Sequence, residues 1–332
     1  MDSGPASIDR FRQELDALVA PGSKIGVAVS GGPDSLALLL LASRARPGAV
    51  EAATVDHALR PESRAEAEFV ARVCEDLEVP HVILAVEWEE QPETALPERA
   101  RLMRYHLLGE WARERQLTAL VTAHHLDDQA ETLLMRLARG AGVRGLAGMR
   151  RVARVPGTGL PLLRPLLGWR RSELEALCVA AGLGPIRDPS NEDERFERVR
   201  MRKALTNAGW LDPEAVALSA DHLADADTAL DWAADREWQR AVNAGDGAIA
   251  YTPADAPPEI RRRIAVRAIL ALANEGADNL RGREIERIIA ALDAGRAATL
   301  RGVHCTGGSE WRFARAPARR VRASAEIGAV EG

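Results

Sequence analysis

The sequence predicts an α/β fold in which a doubly wound parallel sheet is followed by a mostly helical C-terminal domain. Between residues 24 and 139, short apolar segments alternate with segments whose apolar residues recur at helical spacing. This alternation is typical of right-handed βαβ units and therefore of a parallel sheet. The length of 332 residues favours two domains. We place them at residues 1–212 and 213–332, divided at the Asp-Pro turn that follows Trp210.

The individual elements are predicted in chain order from apolar periodicity and from turn residues. Strands are expected at residues 25–29, 50–55, 81–86 and 119–123. Helices are expected at residues 8–19, 33–41, 63–77, 98–116, 127–139, 171–181 and 194–208, and in the second domain at 214–242, 261–273 and 283–292. Residues 140–159 are predicted to form a loop, residues 187–191 a turn, and residues 298–314 a hairpin around a Gly-Gly pair.

Composition narrows the class of protein. The chain has no apolar run of about 18 residues, and its N-terminus lacks the basic-then-apolar layout of a signal peptide. We therefore expect a cytoplasmic protein that does not contact a membrane. The three cysteines, Cys74, Cys178 and Cys305, are far apart, which fits a reducing compartment and offers neither a disulfide framework nor a zinc site.

The most informative segment joins the first predicted strand to the first helix of the sheet. Residues 30–35 read Ser-Gly-Gly-Pro-Asp-Ser, and the N–H groups of the following helical turn form an anion site together with the helix dipole. A Walker-type loop would need a lysine here, but the only lysines are Lys24 and Lys203. The carboxylate of Asp34 suits phosphates that are bridged by Mg²⁺. The hexapeptide resembles the pyrophosphate loop of the N-type ATP pyrophosphatases, which split ATP into AMP and pyrophosphate.

A second polar cluster follows the fourth predicted strand and should face the same crevice. His124 ends that strand, and Asp127, Asp128 and Glu131 are expected in the first turn of the next helix. Histidine and carboxylates together can hold Mg²⁺, orient ATP and accept a proton. The alternative is ordinary helix capping with surface acids.

Two further segments are candidates for the same crevice. Asp56 and His57 follow the second strand, where doubly wound folds contact the base or ribose of a nucleotide, although a simple strand-end turn is an alternative. Arg101 and Arg104 share one helix face and could clamp phosphates or a developing negative charge. For this pair the alternative is a solvent-facing basic helix side.

Basic residues are concentrated in one stretch. From Thr132 to Ser172 there are nine arginines and no Asp or Glu. A segment whose charges are all positive favours a surface that binds a polyanion, unless acids from elsewhere in the fold balance the charge. A second basic cluster, which is either a binding surface or a disordered tail, comprises Arg312, Arg315, Arg319, Arg320 and Arg322.

Taken in order, these segments resemble the tRNA(Ile)-lysidine synthetases. The matching blocks lie at residues 30–35, 55–60, 100–105, 123–132, 139–146, 164–167 and 188–191. The hexapeptide alone is shared by many pyrophosphatases, whereas Ala-His-His-x-Asp-Asp-Gln-x-Glu-Thr and Arg-Gly-x-Gly are much narrower. Ala58, where the family usually has glycine, and Val199, where asparagine is common, depart from the pattern.

The resemblance implies a ligase that uses ATP to adenylate the C2 oxygen of the wobble cytidine in the CAU anticodon of tRNA(Ile). Free L-lysine would then attack C2, release AMP and leave lysidine. The catalytic residues implied are Asp34, Asp128, His124, Arg101 and Arg104, with Asp34 and Asp128 also as Mg²⁺ ligands. The ATP-binding residues implied are Ser30, Gly31, Gly32, Pro33, Asp34, Ser35, Asp56 and His57.

The resemblance also implies a large RNA partner. The tRNA backbone would contact Arg139, Arg144, Arg150, Arg151, Arg154 and Arg164, since affinity for nucleic acids depends on neutralising phosphates. The second domain would add to tRNA binding, and the oligomeric state is left open, a homodimer included.

Three other functions are less well supported by the sequence. A tRNA 2-thiolation enzyme of the same superfamily would need cysteines that carry sulfur, and the chain has no paired cysteine motif. An amidating relative would need a glutaminase domain with its own nucleophile. A tRNA-binding protein without activity is disfavoured because the hexapeptide and the His-His-x-Asp-Asp motif are both intact.

Overall fold

A computed structural model describes residues 4–58, 62–88, 96–186, 193–245, 247–273, 280 and 282–316. The chain divides into two compact units, residues 1–224 and 225–332. The division lies inside a long helix, α9 (Pro213–Ala241), whose first residue is the one at which we begin the second domain. Arg60, residues 187–191 and three arginines of the C-terminal cluster (Arg319, Arg320 and Arg322) lie outside the described residues.

The first unit is built around a six-stranded sheet with the strand order β3-β2-β1-β4-β6-β5. Its strands are β1 (Ile25–Ala28), β2 (Val50–Asp56), β3 (His81–Ala85), β4 (Ala119–Val121), β5 (Val152–Arg154) and β6 (Pro161–Leu163). All neighbouring strands pair in parallel except β5, which is antiparallel to β6. The predicted doubly wound parallel sheet is confirmed. The prediction of a loop at residues 140–159 is wrong in part, because β5 lies within it.

Helices cover the sheet and connect its strands. They are α1 (Pro5–Asp16), α2 (Pro33–Ala45), α3 (Ser63–Asp76), α4 (Leu96–Glu114), α5 (Leu126–Ala138), the short α6 (Val143–Leu146), α7 (Arg171–Ala180) and α8 (Glu197–Asn207). Every residue of α2 from Ser35 to Ala42 is buried, because α2 packs on the sheet with one side and on α1 and α7 with the other. The continuous apolar run in its sequence follows from this position.

The strand order places three loops together. β1 pairs with β2 on one side and with β4 on the other, so the order reverses beside β1. The loops that follow these three parallel strands open at the same edge of the sheet, which is where open α/β sheets bind ligands. The hexapeptide follows β1, Asp56 ends β2, and His124 follows β4.

The second unit contains the C-terminal part of α9, α10 (Pro258–Leu272), α11 (Gly282–Asp293) and a five-stranded antiparallel sheet. The strands, in the spatial order β7-β8-β11-β10-β9, are β7 (Val242–Gly245), β8 (Ala248–Tyr251), β11 (Trp311–Arg315), β10 (Val303–Thr306) and β9 (Ala297–Leu300). The predicted hairpin is β10–β11, but the sequence did not reveal the larger sheet to which it belongs. Tyr251 and Trp311 meet edge to face in the core of this unit, with ring centroids 5.7 Å apart. In the described part of the chain, no helix combines the length and apolarity that a membrane crossing needs.

Candidate active site

The turn between β1 and α2 has the geometry of an anion site. Gly31 has a φ of +85°, and a Cβ added there would lie 2.7 Å from Cδ1 of Ile186. The Ser35 hydroxyl accepts the N–H of Ser30 at 3.1 Å and donates to the carbonyl of Gly32 at 2.9 Å. Ser35 therefore closes the turn, while Pro33 begins the helix whose first N–H groups have no partner within α2.

A cavity of about 730 Å³ opens in front of this turn. Most of the predicted ATP-binding and catalytic residues line it, namely Ser30, Gly32, Asp34, Ser35, His57, Arg101, Arg104, His124 and Asp128. Its volume falls in the usual range for small-molecule sites. Gly31 and Pro33 are not among the lining residues and shape the turn instead. The loops after β1, β2 and β4 thus meet around one space, as their strand positions require.

Asp56 has a different position from its neighbour His57. It is buried, and its Oδ1 accepts the N–H of Ala58 at 2.9 Å and the hydroxyl of Ser63 at 2.7 Å. These bonds connect the end of β2 to Ala58 and to Ser63, the first residue of α3. His57 lines the cavity, and its pKa is lowered by burial and by the nearby Arg104, against the opposing effect of Asp56. A neutral imidazole with a buried, unpaired Nδ1 therefore faces the site.

A buried histidine that the sequence analysis missed lies among the acids of the site. Nε2 of His125 is 3.6 Å from Oδ2 of Asp34 and 3.6 Å from Oδ2 of Asp128, and its Nδ1 is 3.6 Å from Oδ2 of Asp127. The imidazole thus connects the turn after β1 to the first turn of α5. Its signal in the sequence is its place just before the first acids of a helix, where it is the N-cap residue.

The charges in this cluster stabilise one another. Burial alone would lower the pKa of His125, but the contacts with Asp127 and Asp34 raise it to about 10. Burial would raise the pKa of Asp127, but His125 and the N–H of Arg171 lower it to about 2. The pKa of Asp128 is lowered in the same way by His125 and Arg198, against burial. Near neutral pH the cluster is an imidazolium surrounded by three carboxylates.

A second ionic network connects α5 to α8. Glu131 is buried and lies in the second turn of α5, not in the first turn as predicted. Its two carboxylate oxygens accept Nε of Arg198 at 2.6 Å and Nε of Arg202 at 2.7 Å. Arg198 also donates through Nη2 to Oδ1 of Asp128 at 2.8 Å. Helix α8 thereby fixes the orientation of a carboxylate that lines the cavity.

The basic side of the cavity comes from α4. The guanidinium groups of Arg101 and Arg104 lie 5.0 and 5.5 Å from the ring centroid of the buried Tyr105. Burial lowers the pKa of His124 to about 3, although Asp128 acts in the opposite direction. His124 is therefore neutral and lies 3.0 Å, through Nδ1, from the hydroxyl of Thr122. The guanidinium groups of Arg101 and Arg104 and the neutral imidazoles of His57 and His124 are available to an anionic substrate.

Acids from distant parts of the chain neutralise some of the arginine-rich stretch. Arg139 forms an ion pair with Glu197, and Arg151 donates to Glu14 at 3.1 Å. Arg154 donates to the carbonyl of Gly159 at 2.7 Å. Arg164 is buried and donates to the carbonyl of Arg150 at 2.7 Å, so its side chain is not on the exposed surface where we expected a phosphate contact. The positive charge of the acid-free segment is thus partly offset by acids elsewhere in the fold and by backbone carbonyls.

Two carboxylates fit a magnesium ion. Oδ1 of Asp34 is buried without a hydrogen-bond partner, and Oδ2 of Asp34 and of Asp128 approach the same imidazole nitrogen. Within the described residues no group of three or more His, Cys, Asp or Glu could hold a metal by itself. Magnesium commonly uses one or two carboxylates together with substrate phosphates and water, so the pair suffices.

The parallel sheet, the turn at residues 30–35 and the cavity before it define the class of PP-loop ATPases. A family model described as a PP-loop domain matches residues 7–208. Similar proteins include the tRNA(Ile)-lysidine synthase of Novosphingobium aromaticivorans, 49% identical over 96% of each chain, and that of Zymomonas mobilis, 42% identical over 90% of each chain. The chain belongs to the tRNA(Ile)-lysidine synthase family.

Among solved structures, the chain resembles the U34-tRNA thiolase NcsA from Methanococcus maripaludis with its 4Fe–4S cluster. The TM-score is 0.54 at 16% sequence identity, over 66% of this chain and 79% of that chain. At this identity the likeness shows the shared fold alone.

Proposed function

We propose that this chain ligates L-lysine to C2 of the wobble cytidine of tRNA(Ile) with the anticodon CAU, using ATP and Mg²⁺. The observation that carries the proposal is the meeting of the turn after β1 with His124 and Asp128 around one cavity, in a chain 49% identical to a tRNA(Ile)-lysidine synthase. Such a substrate implies a cytoplasmic enzyme.

In the first step the C2 oxygen of the cytidine attacks the α-phosphorus of ATP. A P–O bond forms, the bond to pyrophosphate breaks, and the negative charge of pyrophosphate develops beside the N-terminus of α2, where N–H groups and the helix dipole stabilise it. Asp34 and Asp128 would hold Mg²⁺, which neutralises phosphate charge when bound. Arg101 and Arg104 line the same cavity and supply the remaining positive charge.

In the second step an amine of lysine attacks C2. A C–N bond forms, the C–O bond to AMP breaks, and the nitrogen loses a proton. Asp34, Glu66 and Asp128 are carboxylates that line the cavity, where they attract the ammonium groups of lysine and offer acceptors for the proton. With a pKa lowered to about 3, His124 is a weak base. Its role in the proposal is a hydrogen bond to the substrate.

The decisive assay supplies purified protein with ATP, Mg²⁺, radiolabelled lysine and tRNA(Ile) that bears CAU. Label should enter the RNA, and Asp34→Ala and Asp128→Asn should each abolish its entry while circular dichroism stays unchanged. Glu110→Gln on the exposed side of α4 is the control and should retain activity. Incorporation of sulfur from a donor, with no lysine incorporated, would refute the proposal.

For RNA binding we propose the exposed arginines of the stretch from Arg139 to Arg154, with the second unit as an additional tRNA surface. Replacing Arg150, Arg151 and Arg154 together by Gln should weaken tRNA binding. The slope of the logarithm of the binding constant against the logarithm of the salt concentration should become less steep by about 0.7–0.9 for each phosphate that these arginines neutralise in the wild-type complex.

The control for this experiment replaces three arginines on helices α1, α3 and α4, Arg12, Arg64 and Arg113, by Gln. It changes the net charge equally and should leave the salt slope as it is. If both triple variants keep the wild-type slope, the arginine-rich stretch is not the tRNA surface.

The thiolation alternative finds no chemical support among the cysteines. All three thiols are buried, and burial raises the pKa of Cys74 to about 12 and of Cys178 and Cys305 to about 11. Cysteines that attack or carry sulfur have lowered pKa values and partial exposure. An amine nucleophile remains the better match to this site.

A further inference from the structure

Helix α5 holds the arginine-rich stretch as well as the acids of the site. Gln129, which follows Asp128 directly, is buried, and its carboxamide forms two hydrogen bonds with one backbone unit. Nε2 donates to the carbonyl of Met149 at 2.9 Å, and Oε1 accepts the N–H of Met149 at 2.6 Å. The side-chain amide thus forms the same two hydrogen bonds with the backbone of Met149 that a neighbouring β-strand would form.

A second side chain of α5, two turns after Gln129, binds the backbone just before Met149. Nη1 of Arg136 donates to the carbonyl of Gly145 at 2.7 Å and to that of Gly148 at 3.0 Å. In the described part of the chain these carbonyls are its hydrogen-bond acceptors, and burial lowers its pKa. An arginine that belongs to the acid-free stretch is therefore occupied with holding backbone, not with presenting charge.

Gly148 allows the loop to approach this closely. Its φ is +65°, and a Cβ added there would lie 2.6 Å from Oε1 of Gln129. Residues 145–149, which comprise the end of α6 and the loop that follows it and are here named the clamped loop, are therefore held by four hydrogen bonds to side chains of α5. Arg144 and Arg150 immediately flank the clamped loop in sequence.

We propose that Gln129 and Arg136 are positioning residues that keep the arginines flanking the clamped loop in a constant position relative to Asp128. A tRNA backbone bound by these arginines is then set at a defined distance from the carboxylate that serves the reaction. This inference rests on the proposed function, and in particular on tRNA binding by the arginine-rich stretch. Orientation of bound reactants accounts for a large part of catalysis, so loss of the clamp should affect the tRNA-dependent reaction specifically.

The test compares Gln129→Met, which keeps the volume and removes both hydrogen bonds, with Gln129→Glu, which keeps only the acceptor. The first variant lacks two hydrogen bonds of ordinary net strength, so kcat/KM for tRNA should fall about tenfold. Gln129→Glu should show at least as large a loss, because a carboxylate oxygen would face the carbonyl of Met149 in a buried position. Arg136→Met should show a loss similar to that of Gln129→Met. ATP affinity, measured by calorimetry without tRNA, should stay at the wild-type value in all three.

A second substitution disturbs the same contact from the loop side. Gly148→Ala places a methyl group against Oε1 of Gln129 and should also lower kcat/KM for tRNA. Because both changes remove one shared contact, the loss in the double variant with Gln129→Met should be smaller than the product of the two single losses, even though Ala at φ +65° adds a backbone strain of its own. Losses that multiply would show two independent effects and would contradict a clamp.

Val73→Ala, a buried substitution in α3 far along the chain from the loop, is the control for general destabilisation. If Gln129→Met and Val73→Ala have the same kcat/KM for tRNA, or if Gln129→Met weakens ATP binding, the inference is overturned. An unchanged salt slope in the variant lacking Arg150, Arg151 and Arg154 would instead remove the proposed tRNA surface itself. The two failures are thus distinguishable.

Discussion

Replacement of Glu131 by Gln tests how α8 supports the site. The Glu131 side chain is 2% exposed, and its two oxygens accept from Arg198 and Arg202 at 2.6 and 2.7 Å. In the Gln variant one oxygen can still accept, whereas the amide N–H₂ would face a guanidinium donor. One charge-assisted hydrogen bond is removed and the other is weakened, because the acceptor is neutral.

The size of the effect follows from burial. Hydrogen bonds to charged groups contribute about 1.5–3 kcal/mol each, and removing one partner of a buried ion pair costs about 3–5 kcal/mol. The Arg198 and Arg202 side chains are 40% and 32% exposed, so water replaces part of their hydrogen bonding to Glu131. We therefore expect Glu131→Gln to lower the free energy of unfolding by about 2 kcal/mol, measured by urea unfolding.

The matched control removes a carboxylate from another ion pair of α8. Glu194 accepts from Lys203 at 2.6 Å, but both side chains are more than half exposed. Glu194→Gln should leave stability unchanged within error. Glu131→Gln should also lower kcat under conditions where the protein stays folded, since Arg198 then holds Asp128 less firmly. Equal stability of the two variants would refute the reasoning.

Three other changes have defined outcomes. The pKa of His125 is raised to about 10, so its charged form stabilises the fold fully below about pH 6.5, and this contribution is lost as the pH rises through 10. Between pH 6 and 10 the urea midpoint should therefore fall less in His125→Asn than in the wild-type protein. Ala58 has a φ of +52°, so Ala58→Gly should raise the free energy of unfolding by about 1 kcal/mol, read from the same urea curves; no gain would show that the turn is unstrained. Gly31→Ala should reduce ATP affinity at least tenfold in calorimetry, whereas Gly48→Ala, also at positive φ but in open space, should not; equal affinities would contradict the close-approach argument.

Local patterns were sufficient to predict the elements that position the site. The run at β1, the glycine turn and the buried α2 are contiguous in sequence, so their order and type follow from short-range rules. The meeting of the loops after β1, β2 and β4 follows from the geometry of a parallel sheet. Strands β5 to β9 have only three or four residues, and unlike the equally short β1 and β4 they are not followed by a polar motif that marks the end of a strand. A segment that short shows no clear periodicity.

The choice between His124 and His125 could not be made from sequence. Adjacent residues at a strand end point in different directions, and only the fold shows that His125 meets Asp34 from another loop. The neighbouring charges then decide the state of each buried ring. His124, which has a single nearby carboxylate, has a pKa of about 3, whereas His125, among three, has a pKa of about 10. Asp127 and Asp128 are close to His125 in the sequence, but Asp34 comes from another loop, and only the fold shows its contribution.

The arginine-rich stretch shows why charge counted along a sequence overstates a binding surface. Arg136 and Arg164 donate to backbone carbonyls, and either could bind a phosphate only by leaving those carbonyls unpaired. The Arg139 and Arg151 side chains are 63% and 46% exposed in their ion pairs with Glu197 and Glu14. Exposed ion pairs contribute little, so a phosphate can displace these carboxylates at small cost.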